Sequence, residues 1–136
     1  MKCVQTAIYW TVKQLEDITH YLNDSKVLLC DRGTLDGAAY WPETGKIFFD
    51  SLGTTREMEF ARYDAVIHLK PPFKPGIYKS SGTRIESHSQ AIELDAKTEK
   101  VWDGHTRRFI VADEPDFLVK VNKVMKILEE EIPKLQ

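Results

Sequence analysis

The sequence predicts an α/β protein built on a parallel sheet, and three observations carry that reading. Short continuous apolar runs occur at Val27–Cys30, Ala65–Leu69 and Phe109–Ala112. Such runs, rather than alternating ones, are expected of strands covered on both faces. Amphipathic segments alternate with them, the order that places helices over a parallel sheet. At 136 residues the chain lies near the commonest domain length and can bury one core, so residues 1–136 are expected to form a single domain.

The elements follow from periodicity and punctuation. Val4, Ile8, Val12, Leu15, Ile18 and Leu22 recur every three or four residues and predict a helix with that stripe turned inward. Lys13, Glu16, Asp17 and Asn23 fall on the other side, and Asn23-Asp24-Ser25 ends the helix. A first strand is expected at 26–30, with Cys30 buried in it. Short helices are predicted over 46–52 and 55–62, the second capped by Thr54 or Thr55.

The second strand, 65–69, is closed by Pro71-Pro72. Residues 71–82 hold three prolines, two glycines and two serines and read as a loop. A helix is expected over 85–103, with Ile85, Ala91, Leu94, Thr98, Val101 and Trp102 inward and Gly104 as its C-terminal cap. The third strand is 109–112. The last helix starts near Pro115 and buries Phe117, Leu118, Val121, Val124, Met125, Leu128 and Ile132.

Charge and composition exclude several classes. A net charge of −2 leaves no electrostatic footprint for nucleic acid or an anionic membrane. No apolar run approaches the ~20 residues of a spanning helix, and the N-terminus has no secretory-signal pattern. Cys3 and Cys30 read as reduced thiols, which points to a cytoplasmic protein. His20, His68, His88 and His105 are isolated, with no ligand-like spacing, so no zinc site is expected.

The richest stretch is Asp31-Arg32-Gly33-Thr34-Leu35-Asp36-Gly37, directly after the first apolar run. In open parallel sheets ligands bind at the C-terminal ends of strands. A carboxylate there suits Mg²⁺, which prefers oxygen ligands. Arg32 offers a planar fork for a phosphate or an acceptor anion, or an ion pair with Asp36. Asp36 suits an acceptor hydroxyl or a turn cap. Tyr40 and Trp41 read as core packing, Trp102 to His105 as a helix end with an aromatic anchor. Arg107, Arg108 and Glu129-Glu130-Glu131 read as solvated.

DRGTLDGAAYWP, then ARYDAVIHL, then TRIES with AIELDAKTEKVWDGH, then FIVAD and a terminal helix resemble the AAA-type P-loop domain related to the kinase part of NadR regulators. The resemblance implies a three-layer P-loop NTPase-like parallel sheet of kinase type, here truncated to about three strands. It implies that Met1 is an internal position of that domain and that the chain is its C-terminal part. The phosphate loop GxxxxGK[ST], whose backbone N–H groups cradle the phosphates, does not occur in the 136 residues. The one Gly-Lys pair, Gly45-Lys46, is followed by Ile47 and reads as a turn.

By the resemblance, Asp31 matches the acid ending the Walker B-like strand and would orient Mg²⁺ beneath the phosphates of ATP or GTP. Arg84 falls in a lid-like region where an arginine closes over the transferring phosphoryl group. Lys79 and Glu86 flank it, and with Arg32 and Asp36 complete the expected nucleotide-binding set. The full form would transfer or hydrolyse the γ-phosphoryl; this chain alone, without the cradle, is expected to be inactive. The alternative is a non-catalytic binding or scaffold protein that keeps the fold and takes an anionic ligand or a protein partner. Strand edges left open are expected to favour a protein partner or self-association.

Overall fold

The computed structural model describes residues 2–22, 27–42, 45–72 and 88–135. They belong to two compact units, one of Met1–Asp64 with Lys134–Gln136 and one of Ala65–Pro133. Among the described residues there are six α-helices and a two-stranded parallel sheet, and no helix is long and apolar enough to cross a membrane.

The first unit is helical. α1 (Lys2–Leu22) packs on α2 (Asp36–Ala39), and α2 on α3 (Gly45–Leu52). α4 (Arg56–Phe60) is opened by Thr55, whose Oγ1 accepts the Met58 N–H at 3.2 Å, as the sequence predicts. Phe48, 0 % exposed, is the hub of the core. The rings of Trp41, Phe49 and Tyr9 meet it edge-on at 5.2, 5.4 and 6.2 Å between centroids. Such edge-to-face pairs add roughly 0.5–1.5 kcal/mol each to area burial.

Two expectations fail here. Residues 27–30 form no strand and have no ladder partner among the described residues; Leu29 is 68 % exposed, and Cys30 is exposed, not buried. An apolar run states that a segment can be covered; it does not supply the neighbour that makes it a strand. The same reason applies to α1. Its helix is as predicted, but Val4, Ile8, Leu15, Ile18 and Leu22 are exposed, and Gln5 and Tyr9 are the residues turned into the core. The short helices α2 to α4 cover only one narrow face of a 21-residue helix.

The second unit contains a βαβ arrangement. β1 (Val66–Leu69) and β2 (Arg108–Val111) pair in parallel, Val66 opposite Arg108 and Leu69 opposite Val111. α5 (His88–Val101) lies between them in sequence, since parallel strands need a crossover connection. Ala91, Thr98 and Trp102 are buried as predicted. Gly104 takes φ +92°, the left-handed conformation of a helix-ending glycine. α6 (Phe117–Glu131) packs on β2 and is capped by Asp116, whose carboxylate accepts the Leu118 N–H at 2.8 Å.

The start of α6 departs from expectation. Pro115 precedes the helix, and Phe117, Leu118 and Met125 are exposed. Three polar readings also change. Arg107 pairs with Glu131, which is buried, so neither is simply solvated. Arg108 donates to the Glu99 carbonyl at 2.6 Å and pairs with Asp103 at 3.0 Å. His68, isolated by sequence spacing, has its Nε2 2.7 Å from Asp95 Oδ1.

Candidate functional site

The Asp31–Asp36 loop is shaped by its own backbone and fixed from one side by a polar network. Asp36 N–H donates to the Gly33 carbonyl at 3.1 Å, and Ala38 N–H to that of Leu35 at 2.9 Å, which turns the chain into α2. Gly37 is tightly surrounded: a Cβ there would lie 3.2 Å from Gln5 Oε1 and 3.4 Å from the Phe48 ring, so a larger residue would have to displace the Gln5 carboxamide slightly.

Thr34, 2 % exposed, is the anchor. Its Oγ1 donates to Glu59 Oε2 at 2.6 Å, and its N–H donates to the Tyr63 hydroxyl at 2.7 Å. The other Glu59 oxygen accepts from Tyr9 at 2.7 Å and from Thr54 at 2.6 Å. Glu59 is 2 % exposed, so this carboxylate is held by three hydroxyls in place of water. A buried charged acceptor is tolerable only when so satisfied.

A second carboxylate extends the network. Tyr63 donates to Glu16 Oε1 at 2.8 Å, and Arg62 Nη2 bridges Glu16 Oε2 and Asp17 Oδ1, each at 2.8 Å. Burial and the hydrogen bond to Glu59 push the Tyr9 hydroxyl up to about 12. Burial also raises Tyr63. Burial opposes the charge on Arg62, but Glu16 and Asp17 outweigh it and hold the guanidinium firmly protonated. Although Cys30 is exposed as a residue, partial desolvation of its thiol, and then the nearby Glu16 carboxylate, raise it above its ordinary value, which makes it a poor nucleophile.

Against this buried side, the residues on the other side of the loop are open. Asp31 and Arg32 are exposed, directly after the apolar run 27–30. Arg32 has φ +78°, a left-handed conformation that costs a non-glycine residue roughly 1–2 kcal/mol. Its Nη1 lies 3.5 Å from Asp36 Oδ2, the ion pair that the sequence offers as one reading of these two residues. Strain of this kind persists only where the surroundings enforce it, and here the Thr34 anchor two residues on does so. The loop therefore presents one carboxylate, one guanidinium and one half-buried carboxylate from a rigid base. Oxygen donors of this kind match the preference of Mg²⁺.

Of the predicted site residues, Asp31, Arg32 and Asp36 thus share one loop. Lys79, Arg84 and Glu86 lie outside the described residues. Trp41 is buried against Phe48, the packing role expected of it, with Lys2 Nζ 6.0 Å from its ring centre. Sequence reasoning gave no role to Thr34, Glu59, Tyr63 or Arg62, and it placed Glu16 on the face of α1 away from the core, whereas its carboxylate is largely buried against Arg62 and Tyr63. The only local signal was Glu59 itself, an acid placed between Met58 and Phe60.

Nothing matches the chain among curated proteins or solved structures. The family model described as AAA domain matches residues 2–117, a span that contains the whole loop, its anchors and the βαβ arrangement. The chain belongs to that AAA family of P-loop domains.

Proposed function

We propose that this chain is the Mg–nucleotide-handling C-terminal part of a kinase-like P-loop NTPase domain, related to the kinase part of NadR regulators. The full form binds ATP or GTP with Mg²⁺ and transfers or hydrolyses the γ-phosphoryl group. Both units are taken as parts of one cytoplasmic domain. The observation that carries the reading is the Asp31–Asp36 loop, strained at Arg32 and anchored at Thr34, within a chain matched to the AAA family.

Asp31 would hold the metal, and Asp36 would receive an acceptor hydroxyl. Mg²⁺, when bound, supplies neutralisation of phosphate charge. Arg32 meets phosphate or acceptor oxygens with its fork, releasing Asp36 from their long ion pair. The lid role that the resemblance implies for Arg84, and the binding roles it implies for Lys79 and Glu86, fall outside the described residues. Phosphoryl transfer rests mostly on positioning and electrostatics, and the 136 residues contain no GxxxxGK[ST]. They are therefore expected to be inactive alone.

The test is nucleotide turnover by the protein as its host makes it, in wild type, Asp31→Asn and Arg84→Gln. Mg-dependent turnover that falls about a hundredfold or more in both variants supports the reading. Turnover indifferent to Asp31→Asn overturns the metal role. The absence of any nucleotide binding overturns the enzyme and favours a scaffold or binding protein. The exposed apolar stripe of α1 supports that second reading, because such a face suits a protein partner.

A further inference from the structure

A second cluster of chemical groups lies in the βαβ unit, apart from the loop and independent of the nucleotide reading. His68 on β1 and Asp95 and Glu99 on α5 bring one imidazole nitrogen and two carboxylate oxygens within 4.8 Å of one another. Asp95 and Glu99 are one helical turn apart and leave α5 on the same face. His68 is the only one of the three on another element and is 7 % exposed. Two rigid elements of secondary structure therefore hold the three donors together.

A cation already sits between the carboxylates. Lys70 Nζ donates to Asp95 Oδ2 at 2.8 Å and also to Glu99. Burial opposes the charge on this ammonium, but Asp95 and Glu99 raise it, and Lys70 in turn holds Glu99 below the usual carboxylate range. The neighbouring cations are otherwise engaged: Arg108 pairs with Asp103, and Lys120 donates to the Lys70 carbonyl oxygen. Among the described residues the two carboxylates thus share a single bonded ammonium, and the position between them is one that favours positive charge. Lys70 keeps about a third of its side chain exposed, so the position opens to solvent when the lysine stem swings away.

We propose that His68, Asp95 and Glu99 bind a divalent transition-metal ion of the Zn²⁺, Mn²⁺ or Co²⁺ class, which displaces the Lys70 ammonium. The imidazole nitrogen selects this class over Mg²⁺ and Ca²⁺, which favour all-oxygen sites. Three protein donors leave further positions for water, the pattern of open sites rather than of closed structural ones.

The test is titration of the full chain with Zn²⁺ by calorimetry and with Co²⁺ by visible absorption, in wild type, Glu99→Gln and Lys70→Gln. Circular dichroism checks that each variant stays folded, and both positions are exposed enough to tolerate an amide. Wild type is expected to take one ion per chain. Glu99→Gln should weaken binding about tenfold or more, since even residues that only support a metal ligand cost 10–100-fold. Lys70→Gln, which removes the competing ammonium, should tighten it by about the same factor. Absence of binding to wild type overturns the proposal. So does unchanged binding by Glu99→Gln, which would place the ion on other histidines or the cysteines, and so does a Lys70→Gln variant that binds no more tightly.

Discussion

The most deeply buried acid of each unit is satisfied differently, although Glu16 of the first unit is also paired with the Arg62 guanidinium. In the first, Glu59 is nearly inaccessible and is satisfied by the neutral hydroxyls of Tyr9, Thr34 and Thr54. In the second, buried or half-buried acids are satisfied by cations: Glu131 by Arg107, and Asp95 and Glu99 by Lys70. Hydroxyls are short and directional, so they fix a loop; an ammonium on a flexible stem can leave and admit another cation. The first arrangement suits a rigid base under Asp31 and Arg32, the second an exchangeable site.

The comparison can be broken from several sides. Phe48→Ala removes the ring on which Tyr9, Trp41 and Phe49 converge, and should cost ~3–5 kcal/mol in denaturant unfolding. Glu59→Gln keeps the shape but points an amide donor at hydroxyls that also donate, at a cost of about 1–3 kcal/mol. If the loop is fixed as argued, its amide hydrogen exchange at Thr34 and Leu35 should accelerate in the same variant, while that of β1 and β2 stays unchanged.

Alkaline titration sharpens the contrast. The Tyr9 hydroxyl is raised from 10.0 to about 12, so the folded state holds its proton more tightly than the unfolded chain. Its contribution is complete below pH 10 and is lost as pH rises towards 12. Tyr9→Phe should flatten that loss, read as stability against pH. The smallest effect is expected at Leu29→Gln. Because Leu29 is 68 % exposed, the change should stay within ~0.5 kcal/mol. A cost of several kcal/mol would restore the buried strand that the apolar run suggests.

What the sequence revealed was local. The stripe from Val4 to Leu22 located α1 (Lys2–Leu22), Thr55 capped α4, Gly104 followed α5, and two of three apolar runs became β1 and β2. What it concealed was non-local. Residues 27–30 carry the composition of a strand but have no ladder partner among the described residues, and the stripe of α1 does not say what covers it. Apart from the Thr54 hydroxyl on Glu59, the Glu59, Glu131 and His68 pairings join residues 24 to 50 positions apart, beyond the reach of any periodicity. The loop itself was legible as Asp31, Arg32 and Asp36; the reason it holds its shape, Thr34 on Glu59 and Tyr63, was not.

The most direct test of the central reading is the response of backbone amide resonances to Mg–ATP and Mg–GTP in the isotope-labelled protein as its host makes it. The account predicts Mg-dependent shifts at Asp31, Arg32 and Gly33 that vanish when the metal is chelated, with the amides of β1 unmoved. Saturable nucleotide binding that leaves those three amides unshifted would contradict it.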